Sequence, residues 1–160
     1  MVAHAFSSGA LFLSFGMIYE QQKTRHIDKL RGLYHQMPYI GAMFLVYVFS
    51  TVGLPTTAGF VGEWMVILAA LSGQQAWLGV LAATTMVISV VYMLGAYQKV
   101  FYGVPKDTVP VQINMVHKIL LGMLAVMIFT LGLFPNLMVK PMQTSVEKLA
   151  LFSQTTKVKR

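Results

Sequence analysis

The sequence contains no cysteine, so it can build neither a disulfide nor a thiolate-held zinc or iron–sulfur centre. Charge is scarce as well. Only 11% of the residues are Asp, Glu, Lys or Arg, against roughly 25% in ordinary globular chains. Acids are the rarest of these, five against twelve bases. From His35 to Gln98 the chain carries a single charged side chain, Glu63. No Walker phosphate loop, dinucleotide-binding glycine fingerprint or zincin motif is present. His26, His35 and His117 are not spaced as a metal-ligand set. These absences leave no nucleotide, flavin or redox centre expected on this chain.

Hydrophobic residues make up 56% of the sequence instead, and they fall in long uncharged runs. The expected fold class is an all-α integral membrane protein, with about four transmembrane helices and a C-terminal amphipathic helix. The net charge of +7 sits in connections and in the tail, where membrane proteins carry it, so the lipid bilayer and not nucleic acid is the expected surroundings. Met1 leads into an apolar segment with no basic region and no small-residue cleavage site before Glu20, so no removable leader is expected.

A hydrocarbon core of ~30 Å needs about 20 helical residues. Expected crossings are 2–19, a broken 39–71, 76–97 and 118–135. The first has no capping residue or loop before it and carries His4 in its opening turn, which suggests the later part of a helix that starts elsewhere. Glu20 to Met37 forms a polar connection with Lys23, Arg25, Lys29 and Arg31, and Pro38 suits the first turn of the next helix. The basic 20–37 connection and the region of Lys99 and Lys106 fall on one face, which the positive-inside rule assigns to the cytoplasm or matrix. Lys140, Lys148, Lys157, Lys159 and Arg160 on the opposite face pull the other way. Two regions are expected: a transmembrane bundle over 1–136, and an amphipathic helix with a basic tail over 137–160. In the latter Met138, Met142, Val146, Leu149 and Phe152 recur every three or four residues.

The unusual stretch is Thr51-Val52-Gly53-Leu54-Pro55-Thr56-Thr57-Ala58-Gly59-Phe60-Val61-Gly62-Glu63-Trp64. Pro55 lacks an N–H and clashes with a continuing helix, while Gly53 and Gly59 permit backbone geometry that other residues resist. Tyr39 to Val52 and Ala58 to Leu71 are each too short to cross alone, so together they predict one discontinuous helix. Such breaks are tolerated where freed backbone lines a buried or watery cavity. The simpler alternative is a proline kink in a structural helix. Beyond the break lies Glu63, an acid costing about 2.5–3.5 kcal/mol at membrane depth on insertion scales, and therefore a functional candidate. A carboxyl whose charge follows a mobile neighbouring cation suits a proton relay, and Thr51, Thr56 and Thr57 could hold water beside it or simply bond their own backbone. His4, the other titratable group within a span, is either a relay or a locally satisfied histidine. Lys99 and Lys118 read as snorkelling helix anchors, and the aromatics near the span ends as interfacial belts.

Together these residues resemble a known family. Met1-Val2-Ala3-His4-Ala5-Phe6-Ser7-Ser8 with Leu11-Phe12 is similar to its "hxxHGxxSxxLF" helix, with Ala5 where the family has glycine. Gly16 to Glu20 with Thr24-Arg25 resembles its "GxxYER-HTR" segment, and Gly32-Leu33 to Met37-Pro38 its "GGL…MP". Gly53-Leu54-Pro55 to Phe60-Val61-Gly62-Glu63 resembles "LGLPGTxxFVGE". The family is the antiporter-like subunit M of bacterial NADH:quinone oxidoreductase, called NADH dehydrogenase subunit 4 in mitochondria.

The resemblance implies a membrane-arm subunit of complex I, in a bacterial plasma membrane or mitochondrial inner membrane. It implies Glu63 as the terminal acid of a proton path and His4 as its histidine relay, with NADH, FMN, iron–sulfur clusters and quinone bound by other subunits. The family's preceding helices, with its other glutamate and its lysines, are not in this sequence. The implied partners are therefore other membrane-arm subunits, including a separate chain carrying those helices. The competing expectations are a subunit of a related cation/proton antiporter or membrane-bound hydrogenase, and a non-pumping structural subunit. Sister subunits and antiporter relatives resemble this stretch but carry lysine where Glu63 stands.

Overall fold

The computed structural model describes residues 1–73, 76–104, 111–137, 139–141 and 143. All regular structure among them is helical: α1 (Val2–Gln22), α2 (Leu33–Gln36), α3 (Pro38–Thr51), α4 (Ala58–Leu71), α5 (Ala76–Phe101) and α6 (Met115–Leu133), with one 3-10 turn over Ile27–Lys29. Among the described residues three helices are long and apolar enough to cross a membrane, α1, α5 and α6. At 14 residues each, α3 and α4 would rise only about 21 Å apiece, short of the ~30 Å core. Their separation at 52–57 matches the expected discontinuous helix.

The long helices overrun the apolar stretches at their ends. α1 continues through Glu20 to Gln22 and stops where Lys23 turns left-handed (φ 50°), its N–H bonded to the Tyr19 carbonyl at 2.8 Å. α5 continues to Phe101 because its last turns are packed: Tyr97 and Phe101 are buried and their rings stack at 4.7 Å. α6 begins at Met115, three residues before the expected 118, because the Asn114 side chain accepts the Val116 N–H at 3.2 Å as an N-cap. Polar residues at the membrane interface can stay helical, so hydropathy marks the apolar core and not the helix.

One end of the bundle is tied tightly. In the connection after α1, Leu30, Leu33 and Met37 are buried, so it is part of the core and not a loose loop. The Gly32 N–H bonds the Tyr102 carbonyl at 3.2 Å, the Val111 N–H bonds the Gln36 carbonyl at 3.0 Å, and Gln22 Nε2 donates to Gln36 Oε1 at 2.7 Å. These bonds place the 20–37 connection, the end of α5 and the start of α6 together, with Lys23, Arg25, Lys29, Arg31, Lys99 and Lys118. Lys106 lies outside the described residues.

Deeper in, three tyrosine hydroxyls donate to helix carbonyls: Tyr39 to Lys118 at 2.7 Å, Tyr47 to Leu121 at 2.6 Å and Tyr97 to Gly41 at 3.2 Å. A helix carbonyl has a second lone pair, so each bond ties two helices without opening either ladder. Helical residues resume at Asn136, but most of the amphipathic helix expected over 137–152 lies outside the described residues.

Candidate functional site

The site begins with how α3 ends. Val52 still bonds Val48, but Gly53 then takes a left-handed conformation (φ 74°) and the Leu54 N–H reaches back to the Phe49 carbonyl at 2.9 Å. This is a Schellman stop, with glycine at its usual place and proline just after it. Pro55 is exposed and acts through the N–H it lacks. Thr56 is left-handed too (φ 86°), an uncommon conformation for a β-branched residue. Thr57 is buried; its N–H and its hydroxyl both bond the Leu54 carbonyl, at 3.1 and 2.7 Å, so its side chain closes the turn and does not cap α4. Thr51 likewise bonds within its own helix, to Tyr47 at 2.8 Å.

The two halves are not end to end. A Cβ on Gly59 would strike the Ser50 carbonyl oxygen, so the start of α4 lies directly against the last turn of α3. From the other side Gly132 of α6 presses on the backbone of Thr56 and Thr57, where a Cβ would also not fit. The break is therefore gripped between bare backbones.

Glu63 points back over this break. Its carboxylate rests where a Cβ on Gly53 would be, beside the methyl of Met86 from α5. Oε2 is buried and has no hydrogen-bond partner among the described residues. Glu63 lines a cavity of ≈ 810 Å³ between α1, α3, α4 and α5, and His4 lines the same cavity from α1. The two candidates, 59 positions apart in the chain, are thus brought to one space. His4 Nε2 lies 3.1 Å from the Ser8 hydroxyl, one turn on.

Other polar groups face this space. Ser7 of α1 and Ser50 of α3 share a hydrogen bond of 2.6 Å, and Ser7 also donates to the Ala3 carbonyl at 3.1 Å, which leaves Ser50 as donor between the two. Thr85, Ser89 and Tyr92 line it from one face of α5. Thr85 and Ser89 donate to their own helix, at 2.7 Å each, leaving oxygen lone pairs free to accept from water. The cavity can therefore support a chain of hydroxyls and water between an imidazole and a carboxyl. No group of three metal-ligating side chains occurs among the described residues.

The sequence singles out Glu63, His4, Gly53, Pro55 and Gly59 as candidates, and the structure adds Gly132, the Ser7–Ser50 link and the polar face of α5 to their surroundings. The helical spacing of Thr85, Ser89 and Tyr92 was a usable signal for the last of these.

The transmembrane family described as NADH:quinone oxidoreductase/Mrp antiporter matches residues 1–89. The NADH-quinone oxidoreductase subunit M of Rhodobacter capsulatus is 34% identical over 152 residues, covering 93% of this chain and 30% of that protein. The NADH-ubiquinone oxidoreductase chain 4 of Metridium senile is 34% identical over 148 residues, covering 91% and 30%. This chain thus spans about 30% of the length of these relatives. Among solved structures, a chain of respiratory complex I from Thermus thermophilus with bound NADH superposes with a TM-score of 0.76 at 32% identity, over 84% of this chain and 28% of that one. A chain of the Mrp complex from a Dietzia species superposes at 0.75 with 22% identity, over 84% and 34%, a likeness of fold alone. The chain is an integral membrane protein and belongs to the NADH:quinone oxidoreductase/Mrp antiporter transmembrane family.

Proposed function

We propose that this chain is the C-terminal part of a proton-translocating membrane-arm subunit of NADH:quinone oxidoreductase, with Glu63 the terminal acid of the proton path and His4 a relay into it. The observation that carries the reading is the Glu63 carboxylate, seated on a broken helix with one buried oxygen unpartnered among the described residues, in a largely apolar cavity that His4 and several hydroxyls also line. A buried carboxylate without a partner is costly, and protonation relieves that cost. A group in that position takes and releases a proton as nearby charge changes. Ser7, Ser50, Thr85 and Ser89 supply the hydroxyl lining along which water carries it. Electron transfer belongs, in this reading, to other subunits, and the remaining channel residues to helices of a separate chain.

The likeness to the Mrp complex shares the fold, and a cation/proton antiporter subunit or a hydrogenase relative would use the same cavity. The presence of Glu63, where the cation/proton antiporter relatives resemble this stretch but carry lysine, favours the quinone oxidoreductase over the antiporter.

The test is Glu63→Gln in the assembled complex. Proton pumping per NADH oxidised is expected to fall severalfold while assembly persists; unchanged stoichiometry would remove Glu63 from the path. His4→Ala is expected to impair coupling less, and a fully coupled variant would reduce His4 to a packing residue.

A further inference from the structure

One neighbour of the Glu63 carboxylate has no part in the relay as drawn so far: the methyl of Met86. Glu63 Oε2 and Met86 Cε both crowd the point where a Cβ on Gly53 would be, so the thioether end lies against the carboxylate with only a glycine beneath them. Oε2 is buried there, and no donor among the described residues takes the place of water on it. Wettable surface is nevertheless close at hand. Thr85 precedes Met86 on α5 and Ser89 follows three residues on, and both line the same cavity as Glu63 and Met86, with lone pairs open to water.

A methyl placed for packing alone gains most among apolar groups. This one covers an ionisable oxygen, which it can neither bond nor solvate. Methionine is also the apolar side chain best suited to a removable cover. It is unbranched, with three rotatable bonds, so its end swings aside without moving the backbone. There is room for the swing. The cavity measures ≈ 810 Å³, and at Gly62, which lines it beside Glu63, nothing lies within 4 Å of where a Cβ would be.

We propose that Met86 is a positioning residue for the relay: its thioether shuts Glu63 Oε2 off from the water of the cavity, and turning it aside lets that oxygen meet the water. This role rests on the reading of Glu63 as a relay acid. It gives the acid two surroundings without moving a helix. With the methyl in place, no water reaches Oε2 to give or take a proton. With the methyl turned away, Oε2 exchanges its proton with water held along Thr85 and Ser89.

The test reads access to Glu63 in the assembled complex. The probe is a water-soluble carbodiimide with glycine ethyl ester, and the labelled peptide is quantified by mass spectrometry. Met86→Ala, which removes the cover, is expected to raise the labelling rate of Glu63 severalfold over the unaltered complex. Met86→Leu keeps the bulk and is expected to hold the rate near that of the unaltered complex. Val87→Ala, at an exposed neighbour outside the cavity lining, is expected to change nothing. Unchanged labelling in Met86→Ala would overturn the proposal. So would an equal rise in Met86→Leu, which would mean that bulk at this position does not exclude the probe, or in Val87→Ala, which would mean that α5 has merely loosened. Protons pumped per NADH are measured on the same samples and are expected to fall in Met86→Ala but not in Val87→Ala. Full pumping in a fast-labelling Met86→Ala complex, beside lost pumping in Glu63→Gln, would overturn the cover and spare the relay. Full pumping in Glu63→Gln would fail the relay instead, and the labelling would still decide whether Met86 covers the oxygen.

Discussion

The two halves of this bundle are built on opposite plans. At the basic end large side chains fill the space between helices: Phe101, Leu30, Leu33, Met37 and Ile40 are buried, and Phe44, Tyr97 and Phe101 stack together. Around the break the contacts are made by glycine, serine and threonine, with backbone touching backbone at Gly59 and Gly132 and an ≈ 810 Å³ cavity alongside. In lipid there is little hydrophobic gain from packing one apolar helix on another, so association rests on close fit and hydrogen bonds. The filled half achieves fit with bulk and the broken half with proximity. Only the second plan leaves polar surface free beside a carboxylate.

Substitutions that add or remove bulk test this contrast. The largest effect is expected for Gly59→Ala, because the added methyl meets a carbonyl oxygen that cannot swing aside. Overpacking of this kind costs about 1–3 kcal/mol or more, read as a lowered midpoint of unfolding in mixed detergent micelles. Gly95→Ala is the control: nothing lies within 4 Å of its added methyl, and it should be neutral or slightly stabilising. An equal loss in both would mean that glycine at the break serves flexibility and not contact. Next comes Phe101→Ala, which hollows the filled half. A cavity of roughly 100 Å³ at about 24 cal/mol per Å³ costs about 2 kcal/mol, measured in the same unfolding assay. No change would show that this half tolerates voids as well as the other does.

Tyr47→Phe is smaller. It removes a buried hydroxyl bond of 2.6 Å to the Leu121 carbonyl, and interhelical bonds in membranes are worth up to about 1.7 kcal/mol. Ser50→Ala is expected to cost least, about 0.6 kcal/mol, since its link to Ser7 borders a cavity where water can replace the lost hydroxyl. A larger loss for Ser50→Ala than for Tyr47→Phe would make the serine bond the main tie between α1 and α3.

Much of this architecture is legible in the sequence, for local reasons. Gly53 and Pro55 stop a helix by backbone chemistry alone, and the stop is where they stand. The isolation of Glu63 in a long uncharged region marks it before any fold is known. Helix ends were less legible: α1, α5 and α6 each extend past their apolar stretches, because interfacial residues such as Glu20 and Gln98 can be polar and helical at once. What could not be read were distances. Nothing local distinguishes Gly132, which grips the break, from Gly95, which touches nothing. Nor does Met86 announce that its methyl lies beside the Glu63 carboxylate. The shared cavity of His4 and Glu63 was within reach only through family resemblance, since neither neighbourhood mentions the other.

The side-by-side overlap of α3 and α4 has an electrostatic consequence. A helix carries the equivalent of about half a positive charge at its N-terminus and half a negative charge at its C-terminus, felt mainly within the terminal turn. Here the C-terminus of α3 and the N-terminus of α4 lie against each other, so their fields oppose and largely cancel. Glu63, the sixth residue of α4, is also past the turn where an N-terminus would steady an anion. The peptide dipoles therefore favour neither the charged nor the neutral form of its carboxyl, in contrast to an acid seated in the first turn of an isolated helix.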